Sequence, residues 1–186
     1  MISYHDVPLG QMPVWVKNNF LKHIDVAIIE AAAIDENGNI IPTTSVGTSN
    51  IYAEYADKII IEVNTYVPRC IEGIHDVYSP ERPPHTQPIP ITKVSDRVGT
   101  TYIKCDPAKV VAVVESNIPD NGRTVSPVDD EFRSMANNLI GFLHSEVEHG
   151  RLCNPLPPVQ AGVGSVSNAV LQGLAESDFE HLTVYS

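Results

Sequence analysis

A chain of 186 residues is long enough for one domain, or two small lobes, with a genuine core. Its 23 acidic residues against 12 basic ones leave a formal charge of −11, which repels phosphate backbones and argues against general nucleic-acid binding. Cys70, Cys105 and Cys153 are widely spaced with no CxxC pair, which argues against a disulfide framework or a zinc ribbon.

The elements read as follows in chain order. Pro13 suits the first turn of a helix over Val14–Lys22. Asp25–Ala31 is an apolar run without alternation, the pattern of a strand buried on both faces. Asn37 and Gly38 mark a tight turn before a short return strand at Ile40–Ile41. The small-residue loop Thr43–Asn50 leads into a helix over Ile51–Ala56, with Ser49 and Asn50 as candidate N-caps. Lys58–Asn64 is the clearest strand, because its run of β-branched residues disfavours helix.

Residues 65–100 carry Pro68, Pro80, Pro83, Pro84, Pro88 and Pro90, which forbid a long helix or a central strand. The stretch reads as an ordered irregular excursion anchored by Tyr66, Tyr78, Ile89 and Ile91. Lys109–Glu115 is a further buried strand, and Asn117–Pro127 a loop or linker. Val128–His149 is a long helix with Met135, Leu139, Phe142 and Leu143 at helical spacing and Gly150 at its C-cap. After Pro155–Pro158 come a short strand at Val159–Ala161, a turn at Gly162–Gly164, a helix over Ser165–Ala175 and a last strand from Leu182. The alternation predicts an α/β fold with a mainly parallel sheet and flanking helices. Residues 1–116 would form a first lobe, 117–127 a linker and 128–186 the start of a second.

The most informative local pattern is Val159–Val170. A strand, a Gly-x-Gly turn and a helix start bring backbone amides together as an anion-binding device. A dinucleotide fingerprint needs a third glycine, where Asn168 and Ala169 stand, so a nicotinamide-dependent oxidoreductase rests on the turn alone. A plain βα turn remains the other reading. Loop Ser45–Asn50 offers amides and hydroxyls, but reads first as a turn and helix cap. His75 and Asp76, with His85, match no metal-ligand spacing and suit loop hydrogen bonding; His144 and His149 fall on different helix faces. No metal site is expected. The cysteines read as inert buried thiols, and Glu30 and Glu62 close apolar strands, where an acid is either functional or paired at an edge. The opening residues lack a basic-then-apolar leader, and no apolar run reaches membrane-spanning length, so a soluble cytoplasmic protein is expected, or a mitochondrial one in a eukaryote.

Several segments, taken in order, resemble the acetyl-CoA hydrolase/transferase family, which includes succinyl-CoA:acetate CoA-transferases. They are Ile24–Ala31, Thr44–Ser49, Ala56–Asn64, Gly73–Tyr78, Ile89–Ile91 with Asp96–Gly99, Asp106–Val110 and Pro158–Val170. The resemblance implies a class I CoA-transferase fold, a glutamate nucleophile and a glutamyl-CoA thioester intermediate. It assigns contact with coenzyme A, the substrate rather than a resident cofactor, to Gly162, Val163, Gly164, Ser165 and Val166. It implies acyl-CoA and short carboxylates (acetate, succinate, propionate) as partners, and a homodimer or association with the rest of a longer enzyme. In relatives the segment matching Thr183–Ser186 runs directly into the nucleophilic glutamate, which is therefore expected just after Ser186; the 186 residues alone are expected to be inactive. The competing expectation is a non-catalytic CoA- or nucleotide-binding or interaction domain that retains the fold.

Overall fold

The computed structural model describes residues 4, 6–120, 128–162 and 164–185. The chain divides into two compact units, Met1–Asp120 and Asn121–Ser186. Each is described by itself.

The first unit is built on a four-stranded sheet in the order β2-β1-β3-β4. β1 (Val26–Ile34) turns through Asp35–Asn39 into β2 (Ile40–Pro42), its antiparallel neighbour. The turn closes because Asp35 Oδ1 accepts the amides of Asn37 and Asn39, each at 2.8 Å, and Gly38 takes φ +81°. The Asn39 side-chain amide, ahead of the backbone amides, holds the Asp35 carboxyl below its ordinary range. Its contribution to stability is therefore present above the usual carboxylate range and is lost as pH falls through the lowered value. α2 (Ser49–Tyr55) carries the chain to β3 (Lys58–Asn64), which lies parallel to β1 on the side away from β2. β4 (Val110–Ser116) follows, parallel to β3, at the edge. The mainly parallel α/β architecture is the expected one. The N-cap of α2 is Thr48, rather than Ser49 or Asn50, and it makes no side-chain cap bond.

One face of this sheet is covered and part of the other is not. Ala27, Ile29, Ala31, Ile59 and Ile61 pack with Ala53, Ala56, Ile103 and Cys105. Ile59 and Ile61 are essentially sealed from water, worth roughly 1.5–3 kcal/mol each. In-register neighbours in parallel strands share a face, so the opposite face carries Val26, Ile28 and Glu30 beside Lys58, Ile60 and Glu62, then Asn64. There Val26 and Ile28 are 45% and 71% exposed, and on β4 Val111, Val113 and Val114 are exposed too. The expectation of strands buried on both faces therefore fails for Val26–Ile28 and for β4. An unbroken apolar run records what a strand can bury and leaves open what covers it. Beyond Ala31, residues Ala32, Ala33 and Ile41 are covered by Ile71, Val67 and Tyr102.

The first helix, α1 (Met12–Lys17), ends five residues before the expected Lys22. Asn18 closes it and Asn19 takes φ +56°. The excursion after β3 is irregular, as expected: one 3-10 turn at Arg69–Ile71 and an isolated bridge between Val77 and Thr100. Its anchors differ from the expected ones, because Tyr66, Tyr78, Ile89 and Ile91 are exposed. Ile71 supplies the buried contact. The other ties are polar: Lys17 Nζ donates to Ser79 Oγ and the Pro80 carbonyl at 2.6 and 2.7 Å, and Arg82 bonds and stacks on Tyr55. At its base, Asp76 Oδ1 accepts the Gly99 amide at 2.6 Å.

In the second unit α3 (Asp130–Glu148) packs against α4 (Ser165–Glu176), and β5 (Val159–Gln160) pairs in parallel with β6 (Val184–Tyr185). Asp129 caps α3 by accepting the Phe132 amide, and Gly150 follows its end at φ +70°. Ala136 is buried, and Ile140, Leu143 and Val147 join Leu156, Leu174 and Phe179 in the core. Met135, Leu139 and Phe142, expected on the inner face, are exposed. A Cβ on Gly173 would stand 3.2 Å from Ala136 Cβ, so glycine sets the close approach of α4 to α3. The expected linker 117–127 lies outside the described residues from 121 onward.

Candidate functional site

Two places bring together the residue types that bind or orient a ligand. One is the turn between β5 and α4. Gly164 is the N-cap of α4, at φ +143° and ψ 169°, a conformation that side chains rarely adopt. With no side chain it caps nothing, and the first turn of α4 holds no acid. The first-turn amides therefore keep their donor capacity, and the helix dipole adds positive potential there. Gly162 and Gly164 are exposed, Ser165 is half-buried and Val166 is 46% exposed, so the turn lies open to solvent. Val163, assigned to the same contact set, lies outside the described residues. The two glycines are not equivalent, since a Cβ on Gly162 would meet only Ser167 Oγ at 3.9 Å.

The second place lies toward the carboxyl ends of β1 and β3, the side on which open α/β sheets take ligands. Glu30 Oε2 accepts the Thr43 hydroxyl at 3.0 Å and Glu30 Oε1 accepts the Asn64 amide at 2.8 Å. Asn64 also donates to the Ile118 carbonyl at 2.9 Å, and its Oδ1 accepts the Tyr66 and Ile118 amides, both at 3.1 Å. Thr43 and Asn64 are 2% and 3% exposed, the buried polar residues among those described. His75 Nε2 donates to the Thr43 carbonyl at 2.9 Å. A cavity of about 220 Å³ beneath the following loop is lined by Val46, Gly47, Asn50 and His75–Tyr78. In the sequence Glu30, the 45–50 loop and His75 stand apart, and Asn64 and Thr43, which join them, belong to no motif; the one signal for Asn64 is a polar residue closing an apolar strand.

Other candidates are not brought together. His75 and Asp76 serve loop hydrogen bonds as expected, and His85 is exposed in the excursion. His144 pairs with Asp178 at 3.0 Å and stacks on Phe179, whereas His149 donates to the Ser145 carbonyl. Cys105 is buried, and burial pushes its thiol up, but Cys70 and Cys153 are exposed, contrary to expectation. A larger cleft of about 480 Å³ opens beside α2; its Lys109 is already tied to the Ala53 and Glu54 carbonyls. Among the described residues, no helix is long and apolar enough to cross a membrane.

At the amino edge of the sheet, ligand atoms of His23, Asp25 and Asp57 lie within 4.8 Å of one another. The His23 Nε2–Asp57 Oδ2 bond of 2.8 Å holds two of the three together. That hydrogen bond, then the Asp57 charge, raises the His23 pKa from 6.5. The pair therefore helps stability below pH 6.5 and ceases to do so as pH rises through the raised value. An NMR titration is expected to give a His23 midpoint above 6.5, returning toward it in Asp57→Asn. A midpoint at or below that value in the wild-type chain would show that the pair does not form in solution.

Comparison with known proteins places these features in context. The profile of the acetyl-CoA hydrolase/transferase N-terminal domain matches residues 1–115. A succinyl-CoA:acetate CoA-transferase of Clostridium kluyveri is 44% identical over 185 residues, 100% of this chain and 34% of that protein. An acetyl-CoA hydrolase of Saccharomyces cerevisiae is 48% identical over 165 residues, 89% of this chain and 31% of that protein. The chain thus spans about a third of the length of these relatives. Among solved structures, a 4-hydroxybutyrate CoA-transferase of Porphyromonas gingivalis matches 90% of the chain at 20% identity, covering 33% of that protein, with a TM-score of 0.54. RipA of Yersinia pestis matches 98% at 19% identity, covering 33% of that protein, with a TM-score of 0.57. At those identities the likeness is one of fold.

Proposed function

Because this chain belongs to the acetyl-CoA hydrolase/transferase family, we propose that it is part of an acyl-CoA:carboxylate CoA-transferase or acetyl-CoA hydrolase. The observation that carries the reading is the open turn at Gly164, whose backbone leaves the first amides of α4 without a side-chain cap. Gly162, Val163, Gly164, Ser165 and Val166 would hold coenzyme A there, with backbone N–H groups facing its oxygens.

The chemistry is covalent. A glutamate carboxylate, placed just beyond Ser186, attacks the acyl-CoA carbonyl and expels the CoA thiolate, leaving a mixed anhydride. The thiolate attacks the glutamyl carbonyl of that anhydride, releases the first carboxylate and forms a glutamyl-CoA thioester. A second carboxylate, such as acetate, succinate or propionate, reverses the sequence and leaves as acyl-CoA; attack by water instead gives hydrolysis. Assembly as a homodimer, or with the remainder of a longer polypeptide, is supported by the exposed apolar face at Val26 and Ile28.

Two measurements test this. With acetyl-CoA, the polypeptide extended past Ser186 should accumulate an adduct that borohydride reduces at a single glutamate, and the 186 residues alone should not. A shorter chain that turns over fully would refute the placement of the nucleophile. Separately, Gly164→Ala should raise the Kd for coenzyme A about tenfold or more, because alanine pays about 1–3 kcal/mol for that backbone conformation or shifts the turn. Gly162→Ala should leave it within about twofold, since its new methyl meets ordinary van der Waals space. Equal Kd values for all three proteins would remove the turn from the CoA site.

A further inference from the structure

The first unit gathers positive charge in one place, although the chain carries 23 acidic residues against 12 basic ones. A cavity of about 300 Å³ lies between the end of α1, the approach to β1, the end of α2 and the excursion. Lys22, His23 and Arg82 line it, and among the described residues no carboxylate does. Asp25 and Asp57 stand against His23 but outside the lining. The 480 Å³ cleft beside α2 is different, since it sets Lys104 and Lys109 beside Glu54 and Asp106.

These side chains keep donors to spare. Lys22 makes no ion pair or side-chain hydrogen bond among the described residues. Arg82 lies over the Tyr55 ring, 5.2 Å from its centroid, and donates one Nη2 hydrogen to the Tyr55 hydroxyl. That stacking orients the guanidinium while its remaining N–H groups stay available. His23 is held through Nε2 by Asp57, which leaves Nδ1 for a further partner. The same hydrogen bond raises the His23 pKa, so the imidazole keeps its positive charge to higher pH than an ordinary histidine. An anion held here meets cationic donors from three segments of the chain. A carboxylate brings two oxygens and a single charge, whereas a phosphate monoester brings three acceptor oxygens and a charge of about −1.5 to −2 at pH 7. The cavity is larger than a phosphate group alone, and Val16 and Leu21 give it apolar wall against which the organic part of an ester can lie.

We propose that this cavity binds a phosphate monoester, with Lys22, Arg82 and His23 on the phosphate and the apolar wall against the organic part. The site is built from the first unit alone, and it stands whether or not the chain takes part in CoA transfer.

The test titrates the 186-residue chain with phenyl phosphate, inorganic phosphate and benzoate at constant ionic strength, read by calorimetry and by the ring signals of its histidines. Phenyl phosphate should bind about tenfold or more tighter than benzoate, the difference expected from one added charge-assisted hydrogen bond, and should move the His23 signals. Lys22→Gln and Arg82→Gln should each raise its Kd about tenfold, while Lys93→Gln, at an exposed lysine outside the cavity, should leave it within about twofold. Lys22→Gln removes a side chain with no bond to lose, so its melting temperature should match the wild type and its Kd decides the case even if Arg82→Gln is destabilised. Absence of phenyl phosphate binding at millimolar concentration, equal Kd values for phenyl phosphate and benzoate, or a Kd that Lys22→Gln leaves unchanged would each overturn the site. An equal weakening by Lys93→Gln would reduce the effect to general attraction of anions and overturn it too. Inorganic phosphate binding as tightly as phenyl phosphate would overturn the assignment to an ester.

Discussion

Gly99→Ala is expected to destabilise the Met1–Asp120 unit by about 3 kcal/mol or more, the upper range for forcing an atom into occupied space. The added Cβ would lie 2.1 Å from the Val77 carbonyl oxygen, 2.4 Å from its carbon and 2.9 Å from the Tyr78 nitrogen. All three are backbone atoms, so no side chain can swing aside. The strand fragments that would have to part are Val77 and Thr100, whose amides each donate to the other's carbonyl, at 2.7 and 3.0 Å. Moving them also strains the bond from the Gly99 amide to Asp76 and lies three residues from fully buried Ile103. Urea unfolding followed by Trp15 fluorescence reports on this unit, because Trp15 is the chain's single tryptophan. A midpoint within error of the wild type would mean that the base of the excursion is not closed in solution.

Asn64→Leu is expected to cost about 2–4 kcal/mol, since it leaves several buried partners without their bonds. The Tyr66 and Ile118 amides, the Ile118 carbonyl and Glu30 Oε1 each lose a partner, in a site where Asn64 is 3% exposed. Asn64→Asp is the sharper variant. It replaces the NH2 that stands 2.8 Å from Glu30 Oε1 with an oxygen, placing two carboxylates against each other. Like charges so close cannot both ionise cheaply, so one proton is taken up and shared. The folded variant then binds more protons than the unfolded chain at neutral pH, and its deficit against the wild type should shrink as pH falls toward the carboxylate range. Unfolding midpoints of both proteins from pH 7 to pH 4.5 check this. A deficit independent of pH would show that the two side chains do not face each other.

What the sequence revealed follows from the range of the interactions involved. β3 was legible to the residue, because Lys58–Asn64 holds a β-branched run bounded by polar positions. α4 was legible from the glycine turn, and the irregularity of the excursion from its prolines. The burial of the strands was not, because covering layers are supplied by residues distant in the chain. The excursion's real ties, such as Lys17 to Ser79 across 62 positions, leave no local mark. On α3, Met135, Leu139 and Phe142 share helical spacing just as Ala136, Ile140, Leu143 and Val147 do; only the neighbouring α4 decides which stripe turns inward. Of the candidate site, the turn at Gly162–Gly164 was visible because its conformational demand is local. The Glu30–Asn64 bond spans 34 positions and two strands, and no periodicity announces it.

The open patch around Val26 and Ile28 also governs how a sample of these 186 residues should behave in a tube. Water ordered over such a surface is released when two surfaces meet, and salts such as sulfate favour that release. The high negative charge of the chain opposes it, but only over about 10 Å at 0.1 M salt. Raising ammonium sulfate should therefore turn the light-scattering second virial coefficient negative well before unfolding begins. Ile28→Lys should delay the change by placing a charge in the middle of the patch.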